Sequence, residues 1–398
     1  MRILQLSPKL PYPAKDGGSL ATLNLSRGLS DLGNELTILA INTKKHYFPP
    51  HHIPAELTRK IRFKSVSIDT SLKPVNLLFN LFLSDKPYHL ERFHNKVFAK
   101  SLENLLKKEY FDVIQTEGPY FFNYLPLIRK YSNAKIALRA HNVENEIWKK
   151  LSEEQKNPIH KRYLKITAKR IEKLEKRMVS FYDMVIPITH EDEIFFKNQP
   201  NCPETFVVPF GVDFNKYKIS GDNATKNSLC FIGALDWKPN QSSLLWFIDN
   251  VWKPLIKKNK NITFHVAGRN APAWLKDKLN IERLIFHDEV DDALEFIRNY
   301  KIMVAPLFSG SGIRVKIIEA MALQKLVITT SIGSAGIDSK PGKHLLLANS
   351  AREFQEQIIK IIKDIESLDK IAEDARYLIQ TKYDNNKICK SLNNFYSK

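Results

Sequence analysis

Cysteine is scarce in this chain of 398 residues: there are three, Cys202, Cys230 and Cys389, which cannot all pair and form no metal-binding spacing. That pattern belongs to a reducing compartment and argues against a disulfide-held fold. Long apolar runs are also missing. The most apolar stretch, Val75 to Leu83 (VNLLFNLFL), falls far short of the ~20 residues a bilayer-spanning helix needs. The chain passes from Met1-Arg2 straight into the strand-like Ile3-Leu4-Gln5-Leu6, with no apolar segment of signal-peptide length. The expected location is therefore the cytoplasm. No GxGxxG follows a strand, which disfavours a nicotinamide-type dinucleotide enzyme. No HExxH, Ser-His-Asp order or paired-cysteine site is present, so zinc and acyl-enzyme chemistry have no evident carrier and no metal site is expected. Acidic residues are in deficit, 43 Asp and Glu against 61 Lys and Arg, for a net charge of +18. Such a balance seeks an anionic partner: nucleic acid, an anionic membrane or an anionic substrate.

What the chain does have is a strand, a glycine turn and a helix meeting at Phe308 to Ala322, FSGSGIRVKIIEAMA. Ile302 to Pro306 reads as a short buried strand, broken by Gly310-Ser311-Gly312, residues that allow close backbone approach. A helix follows, with Val315, Ile318 and Ala322 on one apolar stripe and Lys316 and Glu319 on a neighbouring face. Free N–H groups at such a helix start form an anion site, and Arg314 and Lys316 add two cations. Glu319 is seven residues beyond Gly312, roughly 10 Å along a helix, about the reach from a diphosphate to the ribose of the same nucleotide. The expectation is a nucleoside diphosphate laid along this helix.

The length suggests two domains. Gly17-Gly18 follows the first strand and opens a helix with Leu20, Leu23, Leu25, Leu29 and Leu32 in helical period, ended by Gly33. Strand patterns then recur at Glu35 to Ile41, Ile61 to Ile68, Asp112 to Gln115, Lys135 to Arg139 and Met184 to Ile188, with helical stretches at Leu72 to Lys108 and Tyr120 to Tyr131. His141 sits just past a strand's carboxyl end, on the same rim as Gly17, Gly18 and Glu117, where open α/β sheets bind ligands. A basic helical segment, Lys149 to Arg177, carries Lys161, Arg162, Lys165, Lys169, Arg170, Lys173, Lys176 and Arg177. Thr189 with Asp192 three residues on marks another helix start. The first domain spans residues 1–213, and 214–227 reads as a polar linker. The second, 228–376, has strands at Leu229 to Ile232, Ile262 to Ala267, Arg283 to Phe286, Ile302 to Ala305, Leu326 to Thr329 and Leu345 to Leu347. The tail, 377–398, is helical and is expected to pack back on the first domain. The fold class is α/β, two doubly wound Rossmann-like domains facing each other across a cleft.

Together these pieces resemble the family 4 retaining glycosyltransferases of the GT-B fold, over essentially the whole chain. The resemblance rests on PYPAKDGG near the start, HNVE at 141–144, VPFGVD at 208–213, FIGALDWKPN at 231–240, VAGRN at 266–270, FHDEVDD at 286–292 and GSGIRVKIIEAMA at 310–322. It implies that Gly17 and Gly18 lie beside a donor diphosphate, that His141 touches the transferred sugar, that Glu319 holds the ribose hydroxyls and that backbone near Val290 faces the base. The chain departs from the family twice. Ser311 stands where many members have Glu, and Ala234 follows Gly233 where many have Arg. Phosphate charge then falls to Arg314 and Lys316, with Lys238 and Arg269 as further candidates.

The resulting expectation is a hexose-transferring enzyme that uses a UDP- or GDP-linked sugar as substrate, with no cofactor. Transfer would proceed on one face of the sugar without a covalent intermediate, the leaving diphosphate taking the acceptor's proton. The acceptor would be a cell-surface glycan, such as a lipopolysaccharide, or a lipid-linked precursor, with the protein peripheral on an anionic membrane. The alternatives are a GT-B-type sugar-nucleotide epimerase and, from another class, a basic nucleic-acid-binding protein. A basic-aromatic stacking platform and a recognisable binding module are both missing, which argues against nucleic acid.

Overall fold

The computed structural model describes residues 1–219, 225–309 and 312–398. The chain forms two compact units, Met1–Gly211 with Asn385–Lys398, and Val212–Asp384.

The first unit is a parallel sheet of β1 (Arg2–Ser7), β2 (Glu35–Thr43), β3 (Ile61–Ile68), β4 (Val113–Glu117), β5 (Lys135–Ala140), β6 (Met184–Pro187) and β7 (Glu204–Thr205). Their order is β3-β2-β1-β4-β5-β6-β7. Strands covered by helices on both faces read as near-continuous apolar runs, and Ile3, Leu4, Leu6, Ile38, Leu39, Ile114, Ile136 and Leu138 are all buried. The order reverses between β1 and β4, so the loops after these two strands diverge and leave a crevice at the carboxyl ends.

The second unit repeats the plan with β8 (Thr225–Ile232), β9 (Thr263–Ala267), β10 (Leu284–Phe286), β11 (Tyr300–Ala305), β12 (Leu326–Thr329) and β13 (Leu346–Leu347). The order is β10-β9-β8-β11-β12-β13, with the reversal between β8 and β11. Its core gathers Phe231, Phe247, Trp252, Phe264, Val304 and Ile328.

The doubly wound class expected from the alternating pattern is what forms, with element ends displaced. Gly17 and Gly18 open a helix as expected: they are the first two residues of Gly17–Asp31, which is capped by Asp16 accepting from the Ser19 N–H at 3.0 Å. Asp16 has already fixed the backbone there, so the glycines continue a helix started ahead of them. The stretch Tyr120 to Tyr131 starts as a 3-10 turn, Pro119–Tyr124, before becoming helical at Leu125–Tyr131, as Pro119 and Pro126 shape both starts. On the helix Val315–Ala322 the buried face is Ile317, Ile318, Met321 and Ala322, and Val315 is only half-buried.

Residues 214–219, part of the stretch 214–227 read as a linker from its polarity, belong to the second unit, as do Val212 and Asp213, read as the end of the first domain. There Tyr217 is buried and its carbonyl accepts from Arg376 at 3.0 Å. The helix Asp369–Lys382 also belongs to the second unit, and the chain re-enters the first only at Asn385. The last helix, Asn385–Tyr396, packs on Gly17–Asp31. Asn385 Nδ2 donates to the Asn24 carbonyl at 2.9 Å, and Phe395 stacks on Phe206 with centroids 5.0 Å apart.

Close approach of these two helices depends on Gly28. A Cβ there would stand 2.4 Å from Cys389 Sγ and 2.7 Å from Asn385 Nδ2. Alanine favours an exposed helix interior by about 1 kcal/mol over glycine, but overpacking typically costs about 1–3 kcal/mol. Gly28→Ala should therefore lower the thermal midpoint of the first unit, whereas Gly33→Ala, with open space around it but φ +85°, should act only through backbone strain. A Gly28→Ala protein that melts at or above wild type would contradict this packing.

Candidate functional site

At the reversal of the first sheet, the loop after β1 (Pro8, Lys9, Pro11), the helix start (Gly18, Ser19, Thr22), the end of β4 (Glu117, Gly118) and the segment after β5 (His141, Asn142) line one pocket of about 160 Å³. Gly18, Glu117 and His141, spread over more than a hundred positions of sequence, thus share one rim.

Glu117 is the last residue of β4 rather than a loop residue, and its side chain is 2% exposed. Its Oε2 accepts from His141 Nε2 at 2.6 Å and from Thr22 Oγ1 at 3.0 Å, with Arg139 Nε 3.9 Å away; Oε1 accepts from Gln115 Nε2. Burial pushes the carboxyl pKa up, but the His141 hydrogen bond, the charges of His141 and Arg139 and the Gln115 donor outweigh it, leaving the pKa below its ordinary value. Glu117 is therefore a carboxylate, and His141 presents an Nε2–H to it. The chain of contacts continues inward: Gln115 Oε1 accepts from Tyr396 Oη on the last helix. Glu144 also lines this pocket, and burial together with the charge of Glu175 raises its pKa to about 7.

At the reversal of the second sheet, Lys316 lies on the first turn of the Val315–Ala322 helix and reaches to the end of β8. Its Nζ donates to the Ile232 carbonyl at 3.1 Å and to Asn240 Oδ1 at 3.2 Å, and sits 4.6 Å from the centre of the Phe231 ring. These partners are all neutral. Burial, with the nearby Arg314 charge, lowers the lysine pKa to about 7. Arg314 is half-buried, donates to the Gly312 carbonyl and has its pKa lowered by burial.

Gly233 is part of the same arrangement, since a Cβ there would lie 2.9 Å from Asn240 Nδ2 and 3.3 Å from Lys316 Nζ. Gly268 is tighter still: its Cβ would meet the Gly233 carbonyl at 2.2 Å. One helical turn along from Lys316, Glu319 accepts from Tyr217 Oη at 3.0 Å. Burial raises the Glu319 pKa to about 7, Asp292 adding to the rise and the Tyr217 bond opposing it.

The structure brings Gly233, Lys316 and Arg314 to the carboxyl ends of β8 and β11, with Glu319 deeper along the helix. Gly312 adopts φ +72° just ahead of that helix. Lys238 is exposed at the first position of the helix Lys238–Phe247, Arg269 is half-buried after β9, and Val290 is half-buried between β10 and the helix Ala293–Arg298. Gly310 and Ser311 lie outside the described residues. Sequence reasoning missed Asn240 and Tyr217, which hold Lys316 and Glu319. A tyrosine inside a polar stretch was the available signal for the second; DWKPN carried no mark that its Asn faces inward. Among the described residues no group of three or more His, Cys, Asp or Glu is gathered as a metal site.

The raised Glu319 pKa has a consequence for stability. A carboxyl whose pKa rises from 4.5 unfolded to about 7 folded contributes stability that is fully present below pH 4.5 and is lost as pH rises toward 7. At about 1.36 kcal/mol per unit the loss reaches roughly 3 kcal/mol at most. Glu319→Gln abolishes this titration, so its melting temperature relative to wild type should rise between about pH 5 and pH 8. A difference that does not change with pH would contradict the buried, proton-holding carboxyl.

Residues 226–364, within the second unit, match the family model described as "Glycosyl transferases group 1". Over 98% of the chain, 26% of residues are identical to a Klebsiella pneumoniae protein named "Uncharacterized 44.6 kDa protein in cps region", of which 98% is covered. Among solved structures, sucrose-phosphate synthase from Thermosynechococcus elongatus superposes with a TM-score of 0.70 at 16% identity, covering 100% of this chain and 98% of that one. Anabaena HepE in complex with UDP gives 0.68 at 16% identity and 100% of both chains. A mutant of S. aureus TarM in complex with Fondaparinux, alpha-GlcNAc-glycerol and UDP gives 0.71 at 13% identity and 100% of both. The chain therefore has the GT-B fold, and its second unit matches the group 1 glycosyl transferase model over residues 226–364.

Proposed function

We propose that the protein is a retaining glycosyltransferase, close to family 4, that moves a hexose from a nucleoside diphosphate sugar to a glycan or lipid-linked acceptor. The observation that carries this reading is Lys316. A partly buried ammonium whose partners are a carbonyl, an amide oxygen and an aromatic face has no compensating charge, and an anion is the ligand that supplies it. Arg314 beside it and the helix start make that anion a diphosphate. Glu319, a turn further on, takes the ribose hydroxyls, and the backbone near Val290 meets the base. That HepE and TarM are solved with UDP supports a uridine donor, and the glycan in the TarM complex supports a glycan acceptor.

Catalysis in this reading is stabilisation of charge on the departing diphosphate by Lys316 and Arg314. The acceptor hydroxyl attacks the face the diphosphate leaves, gives its proton to a diphosphate oxygen, and the C–O bond to the diphosphate breaks as the new glycosidic bond forms. Glu117 does not serve as a nucleophile, since its oxygens already accept from Thr22, His141 and Gln115. Its role is to hold His141 in one orientation, with Nε2–H on the carboxylate and Nδ1 left to bond a sugar hydroxyl.

The test is a panel of nucleotide sugars read by thermal shift and by transfer. A UDP-sugar at 100 times its dissociation constant should stabilise the protein by about 2.7 kcal/mol. His141→Ala should keep nucleoside diphosphate affinity and lose roughly a hundredfold or more in transfer rate. No stabilisation by any nucleotide sugar, or normal transfer by the variant, would refute the reading. An epimerase would interconvert sugars on the nucleotide in the absence of acceptor.

A further inference from the structure

The helix Pro74–Leu83 is one part of the first unit that turns apolar side chains outward. Leu72, Val75, Phe79, Phe82 and Leu83 are between 61% and 78% exposed, and the helix is only 10 residues long. It is too short to cross a bilayer, and among the described residues no helix is long and apolar enough to do so. Cohesion with the rest of the unit comes from the neighbouring helix Pro158–Met178: Arg170 donates to Asn80 Oδ1 at 3.1 Å and to the Leu81 carbonyl at 2.8 Å. Just past the apolar residues, Asp85 pairs with Lys173 at 3.5 Å.

The helix that holds this ridge is strongly basic. Arg162, Lys165, Lys169 and Lys173 are exposed, and their spacing of three, four and four puts them on one stripe. Lys173 is answered by Asp85, and Glu172 is paired with Lys176 at 2.6 Å, so the stripe's net charge comes from Arg162, Lys165 and Lys169. An apolar ridge and a cationic stripe fastened to each other form a pair that one kind of surface satisfies on both counts. Anionic lipid offers an acyl boundary for the phenylalanines and headgroup charge for the lysines.

We propose that the helix Pro74–Leu83 lies in the headgroup region of an anionic bilayer, with the Arg162 to Lys173 stripe on the lipid phosphates. The charge complementarity selects lipid over a second copy of this chain, whose net charge of +18 would repel the stripe. The surface is independent of the catalytic reading, because its test requires no turnover.

Flotation of the wild-type chain with neutral phosphatidylcholine vesicles and with vesicles containing about a third phosphatidylglycerol tests this directly. Partitioning should be more than tenfold stronger on the anionic vesicles and should fall steeply with salt, each basic residue near the surface contributing about fivefold. Lys165→Glu with Lys169→Glu should remove the preference for anionic lipid. Phe79→Ser with Phe82→Ser, both at exposed positions, should weaken binding at least tenfold while leaving circular dichroism and nucleotide affinity unchanged. Equal partitioning on both vesicle types, or both double variants binding as wild type, overturns the proposal. So does a concentration-dependent dimer abolished by the phenylalanine substitutions.

Discussion

The structure of the second unit turns on a lysine amine held in a place where water is scarce and where, among the described residues, no carboxylate pairs with it. Lys316 is tied to the Ile232 carbonyl and to Asn240, and both ties constrain their surroundings. At Gly233 a Cβ would crowd the Asn240 amide and the Lys316 amine, and at Gly268 one would strike the Gly233 carbonyl. The loops after β8 and β9 are therefore drawn tight around the lysine. Burying a charge without a partner costs free energy, which shows here as a lysine pKa near 7. A site that carries such a cost in the free state recovers it when an anion arrives.

The first unit solves a related problem in the opposite sense. Its buried charge is negative, Glu117, and there the structure supplies donors in full: Thr22, Gln115 and His141, with Arg139 close by. The result is a carboxylate that is fixed rather than available, and a histidine aimed by it. Both arrangements lie where the strand order reverses, between β1 and β4 and between β8 and β11, because there the loops part and side chains at strand ends find space.

Much of the fold was legible because parallel strands buried on both faces read as apolar runs. Leu326–Thr329, buried throughout, forms at the position its pattern indicates, and so does Ile61–Ile68, an edge strand in which buried and exposed residues mix. Helix starts were less legible. Tyr120 to Tyr131 read as one helix, yet its first part is the 3-10 turn Pro119–Tyr124. The partners of the site residues were least visible. Tyr217, Asn240 and Tyr396 act across 102, 76 and 281 positions of sequence, and no local period records a bond of that range. Polarity likewise misled at 214–219, where the buried Tyr217 ties an otherwise polar segment to the second unit.

Proton uptake on nucleotide binding tests the central claim most directly. A lysine with a pKa of about 7 is mostly neutral at about pH 8, and a diphosphate bound against it raises that pKa and draws a proton from solvent. Calorimetric titration with UDP in buffers of different ionisation enthalpy should show uptake approaching one proton for wild type and close to none for Lys316→Met. The same uptake in both proteins, or none in either, would contradict the assignment of Lys316 as the diphosphate-binding cation.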